Sequence, residues 1–219
     1  MAYRAWRYAI ARFFYTKMKF LLGVKQNMTQ VFDEEGRVHP ATVITAGPVV
    51  VSYLKTMEKD GYQAVQVGMG EKKESRATKA ELGHGKGKAY KVVREFSNEG
   101  GAEVKVGDTM DVSMFKVGDV VEVSGVSKGK GFQGVVKRHG FKGGQRSHGQ
   151  KHSEREPGSI GGGLRNRVPK GMRMGGRMGA DRVTVKNLNV VAVDLETNTV
   201  LISGAVPGRR GTVVEIRGN

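Results

Sequence analysis

Residues 126–182 constrain this chain more than any other stretch. They hold 15 of its 33 glycines, two of its five prolines (Pro157 and Pro169) and almost no Val/Ile/Leu periodicity. Such a segment cannot present an apolar face, so it cannot build a core of its own. Fifty-seven residues of this kind inside a compact domain point to function or disorder. The segment is tethered at both ends between strand-like runs, which weighs against a disordered tail. Its charge is as one-sided as its composition: 14 Lys/Arg against three acids. A solvated surface normally mixes signs, as "MEKDG" and "GEKKE" do elsewhere in the chain.

The rest of the net charge of +16 sits at the N-terminus, where residues 1–25 hold six Lys/Arg and no acid. The remaining 137 residues are near-neutral, with 17 basic and 18 acidic groups. A near-neutral body carrying basic segments is the layout that suits a polyphosphate partner. With no Cys, disulfides and thiolate zinc sites are excluded. No run of eighteen apolar residues suggests a membrane-spanning helix. At 219 residues the chain is long enough for one domain with a large insertion, or two small ones.

Outside 126–182 the pattern is β. "KFLLGV" and "MTQVF" lead to a turn at "DEEG", and "HPATVITAGPVVVSYL" gives two apolar runs broken at Gly47-Pro48. "KDG" is a turn before the strand "YQAVQVGMG". Strand-like alternation resumes with two "VGD" turns, at 106–108 and 117–119, and in the strand after the second, Val121 and Val123 share one face, with Val120 and Glu122 on the other. "RVTVKNLNVVAVD", "VLISGAV" and "TVVEIRG" supply three more strands, separated by "LETNT" and "PGRRG". Residues 73–116 are more polar, with a helical turn expected near 75–82, and read as a small inserted α+β lobe. The expected fold class is therefore mainly β: an antiparallel barrel over 19–125 and 183–219, interrupted by a basic Gly-rich extension at 126–182. Residues 1–18 are aromatic, basic and acid-free, with no core pattern. A transit peptide, a basic arm or initiation at Met18 would each account for them; the lack of Ser in residues 1–22 weighs against the first, and the lack of a core pattern favours the last.

"GKGFQG" at 129–134 is a literal G-x-G-x-x-G, but a dinucleotide loop needs a helix behind it to bind pyrophosphate. Glycines at 140, 143, 144 and 149 argue against any helix there, since each costs about 1 kcal/mol in a helix interior. No acid lies in a place to hold a ribose, and no kinase motif accompanies the loop. His148 and His152 are four apart, a metal-pair spacing only on a helix. In a non-helical basic stretch they read as RNA-contacting groups, as does His139. No catalytic constellation, metal site or cofactor site is expected. A nucleotide-using RNA-remodelling enzyme is the alternative, and a saturable ATP site would be its mark. Glycines let the backbone pass close to another strand, Lys and Arg neutralise phosphates, and Phe132 and Phe141 offer stacking faces.

Several motifs in order then resemble one family, the bacterial form of the third large-subunit ribosomal protein. They are "GVKQNMTQVFDEEG", "GKGFQGVVKRHGFKGGQRSHGQKH", "PGSIGGG", "GMRMGGRMG", "RVTVKNLNVVAVD" and "GAVPG". The resemblance spans nearly all of the chain after residue 18. It implies a six-stranded barrel of the translation-protein type and a structural, non-enzymatic constituent of the large subunit in the cytoplasm. It further implies a primary binder near the 3′ end of large-subunit rRNA that helps nucleate assembly. The basic extension would run toward the peptidyl-transferase centre, and the fourteenth and nineteenth large-subunit proteins would be neighbours. An organellar version of the same protein is a minor alternative. Asn27 stands where Gly is usual, without consequence for the fold. Many bacterial members carry a Gln, sometimes methylated, after "SIG"; here that place is Gly162, so methylation of that side chain is not expected. The residues expected to contact rRNA are Lys128, Lys130, Phe132, Gln133, Lys137, Arg138, His139, Phe141, Lys142, Arg146, His148, Lys151, His152, Arg155, Arg165, Arg167, Lys170, Arg173 and Arg177. The extension is expected to order as rRNA neutralises it.

Overall fold

Period-two alternation sends every second side chain of a strand to the same face. Val121 and Val123, Val200 and Ile202, and Val214 and Ile216 are buried on this pattern. A computed structural model describes residues 19–98, 104–163 and 166–218. The segment 1–18 and Arg165 lie outside the described residues. The chain is mainly β. Its strands are β1 (Phe20–Phe32), β2 (Val38–Thr45), β3 (Val49–Lys55), β4 (Ala64–Glu71), β5 (Tyr90–Ser97) and β6 (Thr109–Met110). Then follow β7 (Val120–Val126), β8 (Gly131–Gln133), β9 (Gly176–Met178), β10 (Arg182–Asp194), β11 (Thr199–Ser203) and β12 (Val213–Gly218).

Six of them close into a ring in the order β1-β12-β7-β10-β11-β2. A second sheet has the order β5-β4-β3-β6. The four-stranded sheet therefore begins at Val49 and takes in β3 and β4, earlier than the lobe expected at 73–116. Those two strands are as apolar as the ring strands, so alternation alone could not tell which sheet they join. Within the lobe, the helix Lys79–His84 starts in a capping box between Thr78 and Glu81.

The pairing of β1 with β12 shows how one strand pair serves two layers. Phe20 lies opposite Arg217 and Leu22 opposite Glu215. Three of these meet the second sheet: Phe20 stacks on Phe96 at 4.6 Å, Arg217 lies 5.2 Å from the same ring, and Glu215 Oε1 pairs with Arg94 Nε at 3.1 Å. Leu21, Val214 and Ile216 have the opposite parity and are fully buried in the ring interior.

The turns follow their glycines. Gly107 and Gly118, in the two "VGD" turns, adopt φ of +99° and +89°. Each turn is closed the same way, Asp108 accepting from the Lys105 N–H and Asp119 from the Lys116 N–H. Asp119 also pairs with Lys19. Partial burial pushes the Asp119 carboxyl up, but the Lys19 and Lys116 hydrogen bonds outweigh it and hold it below the usual range.

The described chain separates into two units. One takes in the described residues up to Val126 together with those from Val183 onward, and the other is Ser127–Arg182. The first holds one continuous core, from Phe20 and Leu21 through Val65 and Phe96 to Ile216. Ile216→Ala should cost about 2–5 kcal/mol through lost contacts and a cavity. Urea denaturation, followed by circular dichroism, would register that loss as a lower midpoint with an unchanged slope.

Candidate nucleic-acid interface

The unit Ser127–Arg182 has few apolar side chains, so its backbone has to hold itself. Antiparallel hydrogen bonding does this at its foot. The Ser127 N–H donates to the Asp181 carbonyl and the Lys130 N–H to the Met178 carbonyl, both at 2.9 Å. β8 and β9 continue the ladder, with Gly131 opposite Met178 and Gln133 opposite Gly176. Gly179 makes the approach possible. It sits at φ +77°, and a Cβ there would lie 2.2 Å from the Lys128 carbonyl oxygen.

A helix, Val135–His139, follows Gly134, where none was expected. The reason is placement: no glycine lies inside it. Gly134 is its N-cap, and Gly140, at φ +72° in the left-handed region, is its C-cap. Lys137, Arg138 and His139 fill the last turn, where cations favour the negative end of the helix dipole. At five residues the helix is too short to serve as a pyrophosphate site, so the nucleotide reading gains nothing from it.

The helix is bound to the returning chain by its own basic side chains. Arg138 Nη1 donates to the Met174 carbonyl at 2.8 Å, and His139 Nε2 donates to the same oxygen at 3.0 Å. Gly176 leaves room for the guanidinium, since a Cβ there would lie 2.7 Å from Arg138 Nη1. The His139 and Phe141 rings lie 6.0 Å apart. Gln133 Nε2 donates to the Lys130 carbonyl. Val135 is buried beneath this arrangement. The foot of the extension is therefore regular and hydrogen-bonded, with β8, a helix and β9, against the expectation of no regular structure.

Beyond the foot the chain is irregular. The Gly144 N–H donates to the Glu154 carbonyl at 3.0 Å and closes a loop over 144–154. Arg146 Nε pairs with Glu154 Oε1 at 2.8 Å across the same closure. Within the loop His148 and Gly149 are both left-handed, at φ +60° and +81°. Gly162 has nothing within 4 Å of where a Cβ would stand.

The expected contact residues divide cleanly. Gln133, Arg138, His139 and Phe141 are half-buried in the foot. Lys128, Lys130, Phe132, Lys137, Lys142, Arg146, His148, Lys151, His152, Arg155, Arg167, Lys170, Arg173 and Arg177 are exposed. Arg165 is outside the described residues. Among the exposed residues of the expected contact set that are described, Arg146 alone pairs with a carboxylate, Glu154, at 2.8 Å. Phe132 is 79% exposed, a bare ring on the outside of β8. Unpaired cations spaced along a backbone with aromatic faces between them can neutralise phosphates and stack bases. Among the described residues no helix is long and apolar enough to cross a membrane.

The family profile described as Ribosomal protein L3 matches residues 66–199. Curated relatives named Large ribosomal subunit protein uL3 extend the similarity to nearly the whole chain. The one from Roseiflexus is 52% identical over 200 residues, covering 90% of this chain and 95% of the relative. The one from Herpetosiphon aurantiacus is 50% identical over 199 residues, covering 90% and 94%. The one from Finegoldia magna is 48% identical over 203 residues, covering 91% and 97%. On both the profile and these relatives, the chain belongs to the bacterial-type ribosomal protein L3 family, whose members are structural proteins of the ribosome and not enzymes.

Proposed function

We propose that this protein is a structural constituent of the large ribosomal subunit in the cytoplasm and binds its rRNA through the unit Ser127–Arg182. The observation that carries the reading is the run of exposed cations between Lys128 and Arg177, of which, among the described residues, only Arg146 pairs with a carboxylate. Like charges this dense are costly unless a polyanion neutralises them. The six-stranded ring would be the translation-protein-type barrel of the family, and the four-stranded sheet its inserted lobe. The protein would act as a primary binder near the 3′ end of the rRNA and help nucleate assembly. Its extension would run toward the peptidyl-transferase centre, with the fourteenth and nineteenth large-subunit proteins as neighbours. Family membership supports these assignments.

The foot and the outer part of the extension contribute differently. Arg138 and His139 hold the Met174 carbonyl, so their first role is to fix the foot. The exposed cations from Lys142 to Arg173 meet phosphate, and rRNA orders the irregular chain that carries them.

Deleting 127–181 should leave a folded ring, because β7 and β10 are neighbours and the Ser124 and Thr184 hydroxyls already meet at 2.7 Å. The deleted protein should bind a large-subunit rRNA transcript far more weakly and with a shallower salt dependence. Unchanged affinity and slope in filter binding would sink the assignment of the extension. Lys142→Ala should lower the slope of log K against log salt by about 0.7–0.9, the loss of one phosphate contact. Arg138→Ala should act differently, through the Met174 carbonyl: faster amide exchange at Lys130 and in β9, from a lost charge-assisted hydrogen bond of roughly 1.5 kcal/mol.

A further inference from the structure

The turn before β12 carries a second basic feature outside the extension. From 203 to 214 the chain reads "SGAVPGRRGTVV", with no acid. Arg209 and Arg210 are both exposed. Among the described residues neither guanidinium has a hydrogen-bond or ion-pair partner.

The turn that presents them is unusually well held. Thr212 N–H donates to the Arg209 carbonyl at 3.1 Å, and Gly211 in third place has φ +83°, as a type II β-turn requires. Arg209 N–H donates to the Thr212 hydroxyl at 3.0 Å. Gly208 is left-handed at φ +93°, and a Cβ there would meet Thr212 at 2.7 Å.

Lys25 bolts the turn to β1. Its Nζ donates to the Val206 carbonyl at 2.6 Å and to the Gly208 carbonyl at 3.0 Å. Its backbone joins the same turn from both sides: its N–H donates to the Thr212 carbonyl at 2.9 Å, and its carbonyl accepts from the Gly211 N–H at 2.8 Å. Four hydrogen bonds from one residue thus fix the backbone under the two arginines. The chemistry fits a fixed anion: one cation is spent internally on carbonyls, while two planar, forked guanidiniums are left free in water.

The position matters as much as the rigidity. Pro207 of this turn lies against Gly125, where a Cβ would stand 3.6 Å from it. Gly125 is next to Val126, the last residue before the chain leaves this unit, and Val183 takes it back. Gly204 at the start of the turn donates to the Pro40 carbonyl at 2.7 Å, which ties the turn to β2 as well.

We propose that Arg209 and Arg210, held by the Lys25-bolted turn, form a second backbone-phosphate site on the ring itself, independent of the extension. The proposal rests on the rRNA-binding reading given above. The ligand class is the RNA phosphodiester: forked guanidiniums bind phosphate oxygens in pairs, and a pre-ordered turn loses little entropy on engaging them.

The test uses the full-length protein and a large-subunit rRNA transcript, titrated between about 50 and 300 mM KCl. Arg209→Ala/Arg210→Ala should lower the salt slope by about 1.4–1.8, the equivalent of two phosphate contacts. Arg209→Lys/Arg210→Lys should keep the slope but raise Kd, because the charge remains and the fork is lost. Neither pair of side chains has a partner to lose, so melting temperatures should match the wild type. If Lys142→Ala lowers the slope while the double alanine variant matches the wild type, the turn is not an RNA site; an acidic protein surface as its occupant would give that same result. If the wild type itself shows no salt-dependent binding, the rRNA reading fails and takes this site with it. A double lysine variant that loses slope as alanine does would also overturn the proposal.

Discussion

Mutual repulsion is the constraint that the unit Ser127–Arg182 has to meet. It carries 14 Lys/Arg and only three acids, and few apolar side chains, of which Val135 alone is buried among the described residues. What remains is the backbone. The hydrogen bonds at its foot satisfy main-chain groups from within the same unit: Ser127 with Asp181, Lys130 with Met178, and the Met174 carbonyl with two side chains of the helix. Unsatisfied main-chain groups are costly wherever water is excluded. Glycine is what allows the two passes to come close enough, at Gly176 and Gly179 above all. The glycines first notable as a nucleotide-like motif thus serve chain-to-chain approach.

The other unit solves the opposite problem. It has enough apolar surface for two sheets and must keep them distinct. Strand parity does this on β1 and β12, where one set of side chains fills the ring and the other meets Phe96 and Arg94 of the second sheet. In that second contact Arg217 lies over the Phe96 ring and Glu215 pairs with Arg94. A single continuous core results, which is why the four-stranded sheet does not separate as a unit of its own.

Much of this was legible in the residues. Alternation found Val121, Val123, Val214 and Ile216, and glycine found the turns at 36, 61, 107, 118 and 211, all at positive φ. What alternation lacks is the identity of a strand's partner, so it does not tell that β3 and β4 pair in the four-stranded sheet rather than in the ring. The helix Val135–His139 escaped because glycine density was averaged across the segment, whereas position decides whether a glycine breaks a helix or caps it. Charge counting marked Arg138 and His139 as cations but not as groups already bonded to Met174. It passed over Arg209 and Arg210 because they lie in a short turn outside the charged block. Only the Lys25 hydrogen bonds, made across more than 180 residues, mark that turn as a built platform.

The foot of the extension has one more consequence. Because Ser127 and Asp181 are hydrogen-bonded, the outward and returning chains start from neighbouring points. The geometry of that junction is blind to how many residues lie beyond it. Closure entropy grows only with the logarithm of loop length, about 0.6 kcal/mol per doubling. The reach of the extension is therefore a free parameter. Insertions or deletions past the β8–β9 ladder can lengthen or shorten it without re-registering any strand of the ring.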